Sequence, residues 1–417
     1  MLRRIALIVG VDGILKVIGF LLIPIYLLWM PKGEFGEFGY LLSALGMLPP
    51  ILTLGLYVPQ IKESSSSIDI GYQQIIFSTT FLIVTILTSS VFILLSIGEF
   101  YTELLIRIFS ISTNLKYKWL GFSVAALFSV LNLLLYSHAL NFQKEKTIIK
   151  YNSLKFFIVN IFSLGILYFG LGYTDTTLDR LIGVAIGEMV LCVVSFIWLA
   201  KNYWCWKIDY SYLMRALKIG LPIVPGSIAA LISSMSDRYF LSKYFDSSFI
   251  AEYNLALLFL TPVQIITLGA QTVWAPHIFS VKVGSDAHSQ SINFLIKLTL
   301  VFIVMVPLLV LMVAIAKEIG FIPSSYHDII WLTPALAIAV IEMTLLQIPF
   351  NLFIRSGKTS WVAYISILGA LLTVLGGALV VSRFGYLGGV ISGGVINALL
   401  LALAWRWAKQ LNNITLI

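Results

Sequence analysis

The stretch LKIGLPIVPGSIAALISSMSDRYFLSKYFDSSFIAEYNLALLFLTPVQIITLGAQTVW, residues 217–274, decides how this chain is read. It holds parts of two apolar segments, 213–236 and 251–276, each near the roughly 20 residues that a helix needs to cross a bilayer. Three prolines interrupt them (Pro222, Pro225 and Pro262), Asp237-Arg238 follows the first, and amides run down the second to Trp274. Lipid alone selects plain runs of Leu, Ile and Val. Helices broken by proline and striped with polar groups are tolerated where protein or a water-filled path satisfies the freed backbone. The stretch therefore predicts a solute pathway through a membrane.

The composition agrees. Of 417 residues, 59% are hydrophobic and only 11% charged, and the mean hydropathy is +0.97. A soluble domain carries about 25% charged residues. Apolar runs between polar breaks fall at 5–29, 39–61, 73–97, 119–141, 151–171, 180–200, 213–236, 251–276, 292–316, 329–354, 361–381 and 387–408. The expected fold is an all-α integral membrane protein of twelve transmembrane helices. Short alternating segments that would signal a barrel do not occur. The first span is too long for a signal peptide and lacks a small-residue cleavage site, so it is expected to be retained.

Most of the 27 lysines and arginines lie in loops on one side if both termini are cytoplasmic, and that bias sets the expected orientation. Against it, the 98–118 loop places Arg107, Lys116 and Lys118 outside. The net charge of +8 is thus a topological signal, and no basic run interleaved with aromatics points to nucleic acid. Cys192 lies in a span and Cys205 in an inner loop, which gives no disulfide framework. In 100–109 the apolar residues recur at helical spacing opposite Glu103 and Arg107, the pattern of a short helix lying on the outer surface.

The aromatic, cationic segment 201–212 (KNYWCWKIDYSY) divides the spans evenly. We therefore expect an N-terminal six-helix lobe at 1–200, a cytoplasmic linker at 201–212 and a C-terminal six-helix lobe at 213–417. An even number per lobe makes the repeat a parallel one, with pseudo-two-fold symmetry about the membrane normal. A faint repeat fits: EFGEFGYLL at 34–42 aligns with FIAEYNLAL at 249–257, matching Glu37 to Glu252 and Phe38 to Tyr253.

The segments LKIGLPIVPGSIAALISSMSDRYFLSKYF at 217–245, AEYNLAL at 251–257 and VWAPHIFS at 273–280 resemble the second-half signature of polysaccharide (O-antigen-type) flippases. These belong to the multidrug/oligosaccharidyl-lipid/polysaccharide exporter superfamily. Residues 13–61, with their Gly- and Pro-bearing first span and the step Gly55-Leu56-Tyr57, are similar to the family's first two spans. Asp12 and Lys16 within the first span depart from the quoted pattern. The resemblance implies a two-lobed bundle around a cavity that opens alternately to each side of the bacterial inner membrane. The implied cargo is an undecaprenyl-diphosphate-linked oligosaccharide, moved outward for O-antigen or capsule biosynthesis and driven by an H+ or Na+ gradient. A polysaccharide polymerase and a chain-length regulator of the same pathway, together with membrane lipid, are the implied partners.

Such a cargo needs cations for its diphosphate and amides or aromatics for its sugars. Lys16 lies mid-span with Asp12 one turn away on the same face. Two readings fit: a neutralised structural pair, or a diphosphate-binding lysine tuned by a titratable aspartate. Lys218, beside Pro222 and Pro225, is a second candidate cation, and Arg355 near the inner mouth a third. Arg355 reads equally as bidentate phosphate capture or as an interfacial anchor. For sugar, the eighth span offers Asn254, Gln264, Gln271 and Trp274, and the tenth offers Gln347 and Asn351, in a stripe interrupted by Pro349. For the eighth span interhelical hydrogen bonding is the alternative, and the length of the stripe favours sugar contact over it. Glu342 at the centre of the tenth span and Asp12 are the candidates for ion coupling, because an isolated buried carboxyl changes charge readily. Glu188, whose own helix face shows no polar companion, reads as a protonated carboxyl within the bundle. Asp237 and Arg238 read as an outer gate or a surface ion pair, and His138 as a packing residue.

No Cys/His set has metal-ligand spacing and no GxxxxGK[ST] loop occurs, so neither metal, cofactor nor direct use of ATP is expected. The reading is thus a transporter, not an enzyme. A cation-coupled multidrug or metabolite antiporter of the same superfamily is the near alternative, though Lys16 favours anionic cargo. A membrane polysaccharide polymerase or ligase is disfavoured, since no external loop is large enough to hold catalytic groups against sugar.

Overall fold

The computed structural model describes residues 2–66, 69–109, 111, 113–141, 145–170, 175–280 and 287–414, and among them it is helical with no β-strand. The chain opens with α1 (Leu2–Leu21), α2 (Ile23–Trp29), α3 (Lys32–Leu52), α4 (Tyr57–Ser66) and α5 (Ile70–Ile97). A short α6 (Phe100–Arg107) precedes α7 (Leu115–Asn141), α8 (Glu145–Gly170) and α9 (Thr176–Ser195). After residues 196–209 come α10 (Tyr210–Gly220), α11 (Val224–Tyr244), α12 (Ser247–Phe259) and α13 (Thr261–Ser280). The rest is α14 (Ala287–Glu318), α15 (Ile329–Arg355), α16 (Thr359–Gly376) and α17 (Ser382–Ile414).

Among the described residues ten helical runs are long and apolar enough to cross a bilayer, and α12–α13, bent by 47° at Leu260, supplies an eleventh. One of the ten, Ser360–Gln410, is 51 residues long, or about 75 Å at 1.5 Å per residue. It has to be folded. Gly385 takes φ 56°, ψ −127° inside it, a backbone that only glycine adopts freely. Across the fold, a Cβ on Gly376 would meet Ser392, one on Gly369 would meet Leu400, and one on Gly388 would meet the Val380 carbonyl. Those pairings share one antiparallel register, so α16 and α17 form a helical hairpin and the run counts twice. The expected twelve spans result.

Proline marks the other breaks. Leu221–Ile223, containing Pro222, tightens into a 3₁₀ turn between α10 and α11. At Pro262 the missing N–H leaves the Leu258 carbonyl without its helical donor; the Thr261 hydroxyl fills the gap at 2.6 Å. Helix starts are capped by aspartate, as at Asp209, whose side chain accepts from the N–H groups of Ser211 and Tyr212 at 2.8 and 3.0 Å. The helix expected at 100–109 is α6, with Glu103 and Arg107 paired one turn apart on its exposed face.

The chain forms two compact units, one of residues Met1–Leu28 with Ser236–Ile417 and one of Trp29–Met235. In the second, α8 and α9 pack closely because Gly183 and Gly187 form a small-xxx-small step. A Cβ there would lie 2.6 Å from Ser163 Cα and 2.8 Å from Val159 Cα. His138 is buried in this unit between the rings of Phe77 and Tyr203, a packing residue.

Candidate functional site

Of the thirteen residues assigned from the sequence to cargo binding, ion coupling or the gate, all but Lys218 belong to the first unit. Lys218 is exposed on α10 of the second. In the first unit α13 packs against both α1 and α15, so three neighbouring helices carry most of the candidates. Asp12 and Lys16 lie on α1, Gln264 and Gln271 on α13, and Gln347, Asn351 and Arg355 on α15, whose Thr344 and Asn351 face α13; Glu342 lies on the other side of α15, turned towards α17.

The register of α1 fixes where Lys16 stands. A Cβ on Gly13 would lie 3.8 Å from Ile265 Cγ2, and the Phe20 ring packs edge-on against Phe259 with centroids 4.9 Å apart. Helix α1 therefore runs antiparallel to α12–α13, and Lys16 lies level with the break at Leu260–Pro262. A helix C-terminus carries partial negative charge on its unsatisfied carbonyls. Lys16 thus stands beside a helix C-terminus on the neighbouring span. Asp12 and Lys16 are both half-buried.

The amide stripes meet. Asn351 Nδ2 donates to Gln271 Oε1 at 3.2 Å, and the hydroxyls of Thr267 and Thr344 bond at 2.9 Å one turn away. Gln264 and Gln347 stay exposed, while Asn351 is buried. Trp274, expected to offer its indole to a sugar, is instead buried and stacks on Phe294 with centroids 4.3 Å apart and planes 5° from parallel. Its ring is covered because it lies on the side of α13 turned towards α14.

Glu342 Oε2 is buried and accepts no hydrogen bond. It lies 4.0 Å from where a Gly394 Cβ would be, so the absence of a side chain on α17 leaves the space beside the carboxyl. Arg355 occupies the last turn of α15, half-buried. Asp237 and Arg238 do not sit as a surface pair. Asp237 Oδ2 accepts from the Tyr253 hydroxyl at 2.7 Å and Arg238 Nε donates to Asn254 Oδ1 at 2.8 Å, both linking α11 to α12. Asn254 is thereby occupied within the fold.

Two ionic clusters in the second unit were not foreseen. Lys118, expected as an outer-loop cation, is wholly buried, its Nζ 2.7 Å from both Glu37 Oε1 and Asp175 Oδ2. Burial opposes the charge on Asp175. The hydrogen bonds and charge of Lys118, together with the Leu178 N–H, nevertheless hold its pKa below the ordinary carboxylate value. Glu188 does have polar companions, supplied by other helices. Asn132 Nδ2 donates to Glu188 Oε2 at 2.6 Å and Lys155 Nζ lies 3.6 Å from Oε1. One helix face could not reveal partners that arrive from α7 and α8. Among the described residues no group of His, Cys, Asp or Glu could hold a metal ion.

No protein-family model matches this chain, and no curated protein matches it. Solved structures do. It is similar to the lipid II flippase MurJ in an inward closed conformation, with 14% identity over 97% of this chain and 87% of that one and a TM-score of 0.74. It is also similar to an inward-facing multidrug resistance MATE family transporter of the MOP superfamily, with 11% identity, 97% and 98% coverage and a TM-score of 0.70. A MOP superfamily transporter from Pyrococcus furiosus, whose binding pocket is described as of reverse polarity, gives 12%, 100% and 96%, and 0.64. The chain is a multi-pass membrane protein with the fold of these transporters, twelve helices in two lobes.

Proposed function

We propose that this protein is a flippase for lipid-linked oligosaccharides. By alternating access it carries undecaprenyl-diphosphate-linked repeat units from the cytoplasmic to the outer face of the bacterial inner membrane, for O-antigen or capsule synthesis. The observation that carries this reading is Lys16 beside the broken α12–α13 helix. A cation at that depth costs about 2.5–3.5 kcal/mol on insertion scales, and an anionic headgroup in transit is the ligand that repays it. The similarity to a lipid II flippase supports the same cargo class.

In this scheme Lys16 and Arg355 contact the diphosphate, Lys218 acts separately as an entry cation for it, and Gln264, Gln347 and the Gln271–Asn351 pair contact the sugars. Asp12 and Glu342 take up the coupling ion, H+ or Na+. Asp237 and Arg238 fix α11 against α12 at the outer gate. Residues 1–200 and 213–417 act as the two lobes, joined by 201–212, with both termini cytoplasmic. The polymerase and chain-length regulator that follow such a flippase are its proposed partners.

The test is deletion of the gene followed by complementation. Loss of the protein strands lipid-linked repeat units on the cytoplasmic face; wild type restores surface polysaccharide, and Lys16→Ala/Arg355→Ala does not although it reaches the membrane. Full polysaccharide from the double variant removes the diphosphate site. A cation-coupled multidrug antiporter is the second reading, favoured by Glu342 Oε2, buried with no hydrogen-bond partner. Efflux of cationic dyes that depends on Glu342, with no stranded lipid intermediate, selects it.

A further inference from the structure

Near the end of the first unit where α14 begins and α15 and α17 finish, a cavity of about 610 Å³ opens between these three helices. It lies on other helices than Lys16 and Gln264, and no candidate named above lines it. Its deep part is aliphatic: Ile292 and Leu295 on α14, Leu345 on α15 and Leu401 on α17.

The lining changes character with depth. Along α17 the order from the helix end inward is Lys409, then Arg406 and Trp405, then Leu401. Along α14 it is His288, then Ile292, then Leu295. Both helices thus place cationic or aromatic groups at the rim and leucine or isoleucine one to two turns further in. The His288 and Trp405 rings meet edge-on at the rim, with centroids 5.6 Å apart. Trp405 Nε1 is buried with no hydrogen-bond partner. An indole N–H normally finds an acceptor when buried, so this donor points to a ligand.

We infer that this cavity binds an anionic glycerophospholipid of the cytoplasmic leaflet. The gradient of cations, then an indole N–H, then aliphatic side chains follows the lipid's own order of phosphate, ester carbonyl and acyl chain. Arg406 and Lys409 are exposed, and among the described residues the lining has no carboxylate to offset them. Basic pockets between transmembrane helices on the cytoplasmic side select anionic headgroups on this ground. Among the described residues the lining also lacks any amide or hydroxyl side chain. A sugar headgroup would find few partners there, so the occupant is a membrane phospholipid rather than a glycosylated cargo.

The experiment uses the purified full chain in neutral detergent, titrated with dioleoyl phosphatidylglycerol or dioleoyl phosphatidylcholine. Bound lipid is counted by native mass spectrometry and thermal unfolding is followed in parallel. We expect retained phosphatidylglycerol and a raised unfolding midpoint, with phosphatidylcholine at least 10-fold weaker. Arg406→Ala/Lys409→Ala should abolish that preference at unchanged helicity. Trp405→Phe, which keeps the ring and removes the donor, should weaken binding by a smaller factor. Leu401→Trp fills the acyl slot and should block both lipids even if the cation variant folds poorly. Equal retention of the two lipids by wild type overturns the proposal, as does unchanged phosphatidylglycerol binding in the Arg406/Lys409 or Leu401 variants. Displacement of phosphatidylglycerol by a tenfold lower concentration of undecaprenyl phosphate also overturns it, in favour of a cargo-tail site.

Discussion

Each unit carries a glutamate at a matched place, Glu37 in one and Glu252 in the other, and the two are used differently. Glu37 bonds the buried Lys118 at the start of α7. Glu252 accepts from the Asp328 backbone N–H at the start of α15, at 2.9 Å. Both tie the second span of a repeat to the fourth, one by an ion pair and one by a helix terminus. The difference extends through both units. In the second, buried charge is compensated: Lys118 by Glu37 and Asp175, Glu188 by Asn132 and Lys155. In the first, the membrane-depth polar groups are chiefly amides and hydroxyls, and Glu342 keeps a buried oxygen with no hydrogen bond. Compensated charge holds helices together; uncompensated charge is available to a moving ion.

The largest effect expected from breaking this contrast is at Lys118. Lys118→Ala strands two carboxylates in a site where the lysine side chain has no solvent exposure. Loss of one partner from such a cluster costs about 3–5 kcal/mol. Thermal unfolding in detergent should show the drop, and a midpoint within error of wild type would place the cluster in solvent instead.

Next is the Glu188 cluster. Glu188→Leu leaves Asn132 Nδ2 without its side-chain acceptor, a loss of about 1–3 kcal/mol. The ion pair adds less, because the Lys155 side chain is 45% exposed. Lys155→Met/Glu188→Leu should recover part of the loss, since replacing both partners of a buried pair is often neutral. A double variant no more stable than Glu188→Leu alone would show that Lys155 has a role beyond neutralising Glu188.

Asp175 gives a smaller, pH-dependent term. Its folded pKa lies below the ordinary value, so the stability it adds is complete above about 3.9. That stability is lost as pH falls through the lower, folded value. The unfolding midpoint of wild type should therefore decline below pH 4 more steeply than that of Asp175→Asn. Parallel pH profiles would remove the linkage.

Much of this was legible in the sequence. Hydropathy alone located twelve spans, because a 30 Å hydrocarbon layer imposes its length on any helix that crosses it. Even the 51-residue run reads as two, 361–381 and 387–408, from the polar break between them. Pro222 and Pro262 announced the breaks they cause. The ionic clusters were not legible. Lys118 is 81 residues from Glu37, and nothing local tells a loop lysine from a buried one. The Gly183-xxx-Gly187 step was visible as a site of close helix packing, but only the structure shows that α8 is the helix that meets it. Trp274 misled for a related reason: a polar stripe shows which residues share a face, but not which neighbour that face meets.

Glu342 is the sharpest point of the comparison because almost no stability effect is expected there. Glu342→Gln keeps the shape and removes the titrating group. With Oε2 already lacking a hydrogen bond, the swap should leave the unfolding free energy within about 0.5 kcal/mol of wild type. Transport should respond instead. Vesicles carrying Glu342→Gln should bind the lipid-linked cargo but no longer accelerate its movement when a proton or sodium gradient is imposed. A variant that unfolds early would make Glu342 a structural residue like Glu188, and the contrast between the units would fail. Unchanged gradient-driven transport would instead leave the contrast standing and move the coupling ion to Asp12, the other candidate acid of the first unit.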